Sequence, residues 1–339
     1  MDIRKAYYVK PGNFKNLELK EESIPEPDDH EVRVKIHSIG LNFADVFCLL
    51  GLYEAAPKEA FIPGLEYSGE VIKLGKKVSS FNIGDRVMGV TRFGAYCDQL
   101  NIDSRYVIAL PNHWTFDHGA SYLVQVLTAA YGLKELGNLK KGQTVLIHSA
   151  AGGVGLWANR ICKQYECYTI GTVGSESKLP LLKQEGYDQS IVRDTQSFTN
   201  QLRHALAGRP LNLVMDSIGG SIMKDSYKAL APMGRLIAFG SAHYGERKDR
   251  PNYPRLIWKY LNRPRIDPQN MIGENKSVMG FNLIYLFDNS DIMHAMLKNL
   301  EQMELGTPFI GHIYSFLNLP DALREFQSGT TTGKLVIQI

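Results

Sequence analysis

The sequence predicts an α/β fold that combines a doubly wound parallel sheet with a separate, β-rich domain. From residue 144 onwards, short apolar runs alternate with segments of helical periodicity, which is typical of parallel strands connected by helices. Before residue 123, short strand-like runs are instead separated by Gly and Pro. The chain of 339 residues is also longer than a single hydrophobic core usually supports. We therefore expect two domains.

The β-rich part shows its pattern most clearly at residues 32–37, where apolar and polar side chains alternate as in a half-buried strand. Thr115 is a suitable N-cap for one or two helices over 116–136, which lead into the parallel sheet. Further strands of this part are expected at 67–74, 86–90, 95–102 and 106–110. The chain should close with a strand pair around 309–316, a helix over 320–327 and a strand over 334–339.

The parallel sheet is expected to begin with a buried strand at 144–148, followed by a glycine-rich turn and a helix over 154–164. Helical segments are also expected at 176–185 and 220–230. The other candidate strands are 168–173, 189–192, 211–216, 234–240 and 277–281. Six strands with intervening helices predict the doubly wound arrangement.

The glycine-rich turn predicts a binding site for a dinucleotide. Gly152 lets the backbone approach a pyrophosphate, Gly155 allows the helix to pack closely on the strand, and the N–H groups at the helix start face an anion. Ser149 replaces the first glycine of the usual pattern, so the motif is a variant. The backbone contacts are expected from Ala151, Gly152, Gly153, Val154 and Gly155.

The segment after the second strand indicates which dinucleotide is bound. An NAD-preferring site usually has an acidic residue about 20 residues beyond the glycine turn. Here Ser175 and Lys178 could receive a 2′-phosphate, and Arg193 could supply a second charge. The sequence therefore favours NADPH. The alternative is that Lys178 is a solvated lysine and Glu176 binds the ribose of NADH.

Composition and charge argue against several functions. A formal net charge of +3 is far from that of a dedicated nucleic-acid binder. The 4 cysteines form no C-x-x-C pair, which favours free thiols and a reducing compartment. We find no apolar N-terminal signal region and no apolar run of about 18 residues, so we expect a cytoplasmic protein. Residues 244–266 mix basic and aromatic side chains, and we interpret them as a solvated lid or dimer-edge insertion; contact with RNA or a lipid surface is the alternative.

Six motifs in order resemble the medium-chain dehydrogenase/reductase superfamily, and within it the zinc-free quinone oxidoreductases. They are GLNFAD (40–45), GLY (51–53), PGLEYSGEV (63–71), GDRV (84–87), AAGGVG (150–155) and GTVGSESK (171–178). The segment 258–286 is most similar to the branch of the synaptic vesicle membrane protein homologues. The resemblance implies a GroES-like catalytic domain over 1–123, completed by 288–339, and a Rossmann domain over 124–287. It also implies a homodimer.

The resemblance also implies a reaction. Where zinc-dependent members place their metal ligands, this chain has Asn42, Leu65 and Val124, so no catalytic zinc is expected. Hydride would then pass from NADPH to an already electrophilic acceptor, such as a quinone or a conjugated carbonyl. Two alternatives stay open: reduction of the C=C bond of an enoyl or alkenal substrate, and a non-enzymatic NADPH-binding adaptor that contacts a membrane or RNA.

Three residues fall where the family lines its active cleft. Asn42 could hydrogen-bond an acceptor carbonyl, and Tyr53 could do the same or donate a proton. Asp45 is the third candidate. Each has a structural alternative: Asp45 could cap a helix that begins near Ala44, and Tyr53 could pack beneath its loop.

The resemblance places four further residues at the cofactor. Thr128 matches a threonine near the nicotinamide, Phe239 and Gly240 end the fifth strand, and Lys334 matches a position facing the cofactor. A back-bonded helix threonine and a strand-edge lysine are the structural alternatives for Thr128 and Lys334. His148 is expected to be a hydrogen-bonded strand-end residue without a catalytic role.

Overall fold

The structure is a computed structural model and describes residues 2–339. These residues form fifteen β-strands. The strands are β1 (Asp2–Tyr8), β2 (Glu18–Ile24), β3 (Glu31–Gly40), β4 (Glu66–Leu74), β5 (Arg86–Val90), β6 (Gln99–Asp103), β7 (Val107–Ala109), β8 (Thr144–Ile147), β9 (Tyr168–Val173), β10 (Gln189–Val192), β11 (Leu211–Asp216), β12 (Leu230–Ala238), β13 (Ser277–Gly280), β14 (Ile310–Ser315) and β15 (Lys334–Gln338).

The same residues form eleven α-helices and several shorter helical turns. The helices are α1 (Phe43–Leu50), α2 (Phe116–Gly119), α3 (Leu123–Ala130), α4 (Gly153–Gln164), α5 (Leu179–Gln184), α6 (Phe198–Leu206), α7 (Gly220–Ala229), α8 (Tyr253–Leu261), α9 (Pro268–Glu274), α10 (Ser290–Glu301) and α11 (Leu319–Ser328). Across residues 2–339, none of them is both long and apolar enough to cross a membrane.

The chain divides into two compact units. Unit 1 comprises residues 1–124, 247–251 and 307–339, and unit 2 comprises 125–246 and 252–306. The segment 288–306, which the sequence assigned to the β-rich domain, therefore belongs to unit 2. It contains α10, whose apolar face is buried, and Leu305, whose carbonyl accepts a hydrogen bond from Arg160 Nη1 of α4 at 3.2 Å.

Unit 1 is the β-rich unit. Its main sheet has the order β14-β15-β3-β4-β5-β7, with β6 also paired to β3, and β1 and β2 form a separate hairpin. One predicted strand, 95–102, is shorter than expected, because β6 begins only at Gln99. The residues before it make irregular contacts instead: Tyr96 N donates to Pro63 O, and Tyr96 O accepts from Tyr7 N.

Unit 2 contains the predicted parallel sheet of six strands, in the order β10-β9-β8-β11-β12-β13. All its pairings are parallel, and the order reverses between β8 and β11, where ligands of such sheets bind. The α/β fold class is thus confirmed. Two details differ from the sequence-based prediction. The first is that residues 116–136 form α2, α3 and a π-helical turn at Tyr131–Leu136. The second is that β12 begins at Leu230, earlier than predicted, and passes through Met233, whose φ is 66°.

Candidate cofactor and active site

The glycine-rich turn of unit 2 connects β8 to α4 at the point where the strand order reverses. Ser149 adopts a φ of 51°, and Gly152 N donates to Ser149 O at 2.9 Å, so the chain turns sharply before α4 begins at Gly153. The first N–H groups of a helix have no intrahelical partner. The turn over Ala151, Val154 and the neighbouring glycines therefore has backbone donors at the start of α4, and their contact with an anion stays a prediction.

The surroundings of the three glycines in this turn differ in how much room they leave for a side chain. A Cβ added to Gly155 would lie 2.6 Å from Ala150 Cα, so the helix packs directly on the strand end. At Gly153 the Cβ would lie 1.8 Å from Gln125 Oε1, which shows that the Gln125 side chain rests against the turn. Only Ser149 O, at 3.2 Å, lies near the Cβ position of Gly152. Gln125 was not predicted, because no motif spacing relates it to the turn.

Two cationic residues follow the carboxyl ends of β9 and β10. Arg193 Nη1 donates to Thr172 O at 3.1 Å and to Thr172 Oγ1 at 2.9 Å. Burial, and then the charge of Arg193, lower the pKa of half-buried Lys178. Burial lowers the pKa of Arg193 to about 10, which leaves it cationic at neutral pH. The hydroxyls of Ser175 and Ser177 lie 2.8 Å apart on the same turn, whereas Glu176 is exposed.

Of the remaining predicted cofactor residues of unit 2, Phe239 and Gly240 follow the carboxyl end of β12. Thr128 is buried in α3. Phe239 N donates to Asp216 O at 2.9 Å, and the Phe239 ring is stacked on Phe281 with centroids 6.0 Å apart. A Cβ on Gly240 would approach Ser217 O to 3.0 Å. Burial raises the pKa of Asp216 to about 6, although its carboxylate accepts from two backbone N–H groups.

His148 directly follows β8 and is fully buried. Its Nδ1 lies 2.8 Å from Thr172 Oγ1, and its Nε2 lies 2.9 Å from Ser226 Oγ. Burial lowers the pKa of His148 to about 3, so the ring is neutral. The prediction of a hydrogen-bonded strand-end histidine is confirmed.

Unit 1 holds a different polar cluster, formed by Asn42, Glu66 and Lys334. Lys334 Nζ forms an ion pair with Glu66 Oε1 and donates to Asn42 Oδ1 at 3.0 Å. Asn42 Nδ2 donates to Glu66 Oε1 at 2.9 Å and to Gly40 O at 3.2 Å. The second carboxylate oxygen of Glu66 accepts from Val124 N at 3.2 Å. Glu66 and Lys334 are 0% and 1% exposed, so the charges balance each other out of water.

This cluster changes two sequence-based expectations. Both amide N–H groups of Asn42 are already donated within the cluster, so in this arrangement they are not available to an acceptor carbonyl. Lys334 is not a strand-edge lysine, because β15 lies between β14 and β3. Two of its three N–H groups donate to Asn42 and Glu66, and its contact with the cofactor stays a prediction.

The other two predicted catalytic residues lie at opposite ends of α1. Asp45 Oδ2 accepts from Asn42 N at 2.7 Å, which is the capping role that the sequence left as an alternative. Asp45 is 0% exposed, and burial raises its pKa to about 7. Tyr53 follows the C-terminus of α1, is half-buried and packs against the apolar core of unit 1.

The residues at the positions of the zinc ligands do not fit a zinc ion. The Asn42 amide is engaged as described, Leu65 has no donor atom, and Val124 offers only its backbone. The neighbouring carboxylate of Glu66 is neutralised by Lys334. Among residues 2–339 no group of three or more His, Cys, Asp or Glu side chains is arranged to hold a metal ion.

Two family models match the sequence, one in each half. Residues 28–129 match the alcohol dehydrogenase GroES-like domain, and residues 153–301 match the zinc-binding dehydrogenase domain. The rat synaptic vesicle membrane protein VAT-1 homolog is 31% identical over 318 residues, which are 92% of this chain and 78% of the relative. The quinone oxidoreductase of Pseudomonas aeruginosa is 33% identical over 293 residues, which are 85% of this chain and 89% of the relative.

Solved structures show the same fold along almost the whole chain. The mycobacterial protein Rv1454c, complexed with NADPH, superposes with a TM-score of 0.84 at 26% identity and covers 99% of this chain and 100% of its own. The CurK enoyl reductase superposes with a TM-score of 0.82 at 25% identity and covers 99% of each chain.

Proposed function

The chain belongs to the medium-chain dehydrogenase/reductase superfamily, and we propose that it is an NADPH-dependent, zinc-independent reductase of quinones or related conjugated carbonyls. One observation carries the proposal: Arg193 Nη2 lies 3.6 Å from the position of a Cβ added to Gly174, in the turn after β9 that leads to Ser175 and Lys178. Two cationic residues and the hydroxyls of Ser175 and Ser177 in and beside this turn suit a phosphate better than a ribose hydroxyl pair.

NADPH, when bound, supplies the hydride. In our proposal the backbone N–H groups of Gly153, Val154 and Gly155 hold its pyrophosphate, and Arg193 and Lys178 hold its 2′-phosphate. The related Rv1454c is complexed with NADPH, which supports the choice of cofactor. We propose that Phe239 and Gly240 approach the nicotinamide end, because they follow the carboxyl end of β12, and that Thr128 does so as the family resemblance implies.

The acceptor is proposed from the chemistry of the residues. Because the residues at the zinc-ligand positions do not suit zinc, we propose an acceptor that is electrophilic without activation by a metal. Quinones and conjugated carbonyls meet this condition, and the relative from Pseudomonas aeruginosa is a quinone oxidoreductase. We propose Tyr53 as the hydroxyl that contacts the acceptor, since the donors of Asn42 are engaged and Asp45 caps α1.

Reduction of a C=C bond is the second candidate, and the similarity to the CurK enoyl reductase favours it. Both reactions deliver hydride to a conjugated system, so the acceptor distinguishes them. NADPH oxidation should be measured with a panel of quinones, enals and enoyl thioesters, for the wild type and for Tyr53→Phe. Selective turnover of quinones supports the first candidate, and selective turnover of enoyl thioesters supports the second. Full kcat/KM in Tyr53→Phe would remove Tyr53 as an essential donor.

We also propose that the protein is a homodimer that pairs through unit 2. β13 is an edge strand of the parallel sheet, and α8 nearby in the sequence exposes Ile257 and Trp258 by 58% and 65%. An edge strand with unpaired backbone groups and a helix with exposed apolar side chains are each typical of a surface that another chain covers. Sedimentation at twice the 38.0 kDa chain mass would support this, and a monomer would contradict it.

Cofactor preference tests the main proposal most directly. We expect wild-type protein to bind NADPH more tightly than NADH, and Arg193→Ala or Lys178→Ala to weaken NADPH binding about tenfold, because each removes a charged phosphate contact. NADH binding should stay within about twofold, since NADH has no 2′-phosphate. Lys183→Ala, an exposed lysine on α5, is the matched control for lost charge. Tighter binding of NADH by the wild type would contradict the proposal.

A further inference from the structure

Arg193 is the outer end of a buried chain of hydrogen bonds that runs through Thr172 and His148 to Ser226. The three contacts measure 2.9 Å from Arg193 Nη1 to Thr172 Oγ1, 2.8 Å from Thr172 Oγ1 to His148 Nδ1, and 2.9 Å from His148 Nε2 to Ser226 Oγ. Thr172, His148 and Ser226 are 0%, 1% and 0% exposed. No water therefore competes for these bonds.

The direction of the bonds follows from the carbonyl at the inner end of this hydrogen-bond chain. A carbonyl only accepts, so the Ser226 hydroxyl donates to Ile222 O at 2.8 Å and Ser226 Oγ accepts from His148 Nε2. The neutral His148 ring then has its hydrogen on Nε2, and its Nδ1 accepts from the Thr172 hydroxyl. Thr172 Oγ1 in turn accepts from Arg193 Nη1, because a guanidinium only donates.

The hydrogen-bond chain uses only one nitrogen of the Arg193 guanidinium. Nη1 is held by Thr172, whereas Nε and Nη2 donate to no other atom of residues 2–339. Nη2 lies on the side of Gly174, 3.6 Å from the position of an added Cβ, in the turn that leads to Ser175 and Lys178. An arginine fixed at one nitrogen loses less side-chain entropy when its others bind an anion.

We propose that this oriented chain holds the Arg193 guanidinium in the conformation that receives the 2′-phosphate, so that Thr172 and His148 are positioning residues for the choice of NADPH over NADH. The inference rests on the proposed NADPH-dependent function. It assigns a role to His148, for which the sequence predicted none. It also explains why a buried, neutral histidine is placed at the end of β8, beside the glycine turn.

Thr172 offers the sharpest test, because two substitutions separate its hydroxyl from its shape. Thr172→Val preserves the volume but removes the hydroxyl, and we expect NADPH to bind roughly five- to tenfold more weakly with NADH unchanged. Thr172→Ser keeps the hydroxyl and loses a buried methyl group, so it should lower the unfolding midpoint yet keep the NADPH/NADH ratio of dissociation constants. Fluorescence titration with both nucleotides, and calorimetry with adenosine 2′,5′-bisphosphate, measure these effects.

Thr169→Val is the matched control. Thr169 is buried on the same strand, but its hydroxyl donates to Asp188 Oδ2 at 3.3 Å and has no contact with Arg193. It should change stability without changing the NADPH/NADH ratio. His148→Phe and Ser226→Ala interrupt the chain at later points, and we expect successively smaller losses of selectivity, about threefold and less than twofold, as bonds further from Arg193 are removed.

The outcomes separate this inference from the proposed function. If Arg193→Ala abolishes the preference for NADPH while Thr172→Val keeps it, the positioning role is wrong and the 2′-phosphate site stands. If the wild type shows no preference and Arg193→Ala changes nothing, the proposed cofactor site is wrong and this inference falls with it. Loss of selectivity in Thr172→Val but not in Thr172→Ser or Thr169→Val would establish the role.

Discussion

Each unit contains a buried polar network near residues that the sequence predicted to be functional. We call a network closed when its charges balance within it, and open when it ends at a charged group that keeps unused hydrogen-bond donors. In unit 1, the cluster of Asn42, Glu66 and Lys334 uses both amide N–H groups of Asn42 and balances its own charges. In unit 2, the chain from Ser226 ends at Arg193, which stays cationic and keeps donors towards the turn at Lys178. A sequence motif therefore predicts where a side chain lies. Whether that side chain has hydrogen-bond donors left for a ligand depends on the bonds that it makes within the protein.

The largest effect is expected where the closed network is broken. Lys334→Met leaves the Glu66 carboxylate buried without its counter-ion, and we expect the free energy of unfolding to fall by about 3–5 kcal/mol. Urea denaturation at neutral pH measures it. The double variant Glu66→Gln/Lys334→Met removes both charges and should regain most of the loss. A single-variant loss below about 1 kcal/mol would contradict the description of the cluster as a charge-balanced core.

The contrast between the networks also shows which features a sequence can predict. Strand limits follow from local periodicity, and β5, β9, β10 and β11 have the bounds that the pattern predicted. The glycine turn was predictable because its geometry depends on neighbouring residues.

The closed cluster was not predictable, because its partners are brought together by tertiary structure. Glu66 and Lys334 are 268 positions apart, and no spacing rule connects them. The family resemblance placed Asn42 at the active cleft and Lys334 at the cofactor. It does not show which hydrogen bonds these two side chains make. The same limit explains why Gln125 at the glycine turn and Thr172 beneath Arg193 were missed.

We expect the stability contributed by the open network to fall more strongly with acid than that contributed by the closed network. Burial lowers the pKa of His148 to about 3 from an ordinary value of 6.5, so its contribution to stability is complete above pH 6.5 and is lost as pH falls towards 3. Between pH 7 and pH 5 we expect this loss to be about 2 kcal/mol. Asp45 and Asp216 have raised pKa values, about 7 and about 6, and act in the opposite direction, since their contributions are lost as pH rises.

The variant His148→Gln isolates this contribution, because both aspartates remain in it. Urea midpoints measured from pH 7 to pH 5 should fall more steeply in the wild type than in His148→Gln. Parallel pH profiles would mean that His148 is protonated in the folded protein, and the directions assigned to the hydrogen bonds of the open chain would then be wrong.

The smallest effect is expected at an ion pair of similar geometry that lies in water. Lys141 Nζ and Glu166 Oε1 are 2.6 Å apart, but their side chains are 72% and 68% exposed. Lys141→Met should change the free energy of unfolding by less than about 0.5 kcal/mol, because solvent screens the attraction and hydrates the remaining carboxylate. This is the same substitution as at Lys334, and urea denaturation under the same conditions compares them directly. If the two losses were equal, ion pairing itself and not burial would set the energy of the cluster, and the distinction between closed and open networks would lose its physical basis.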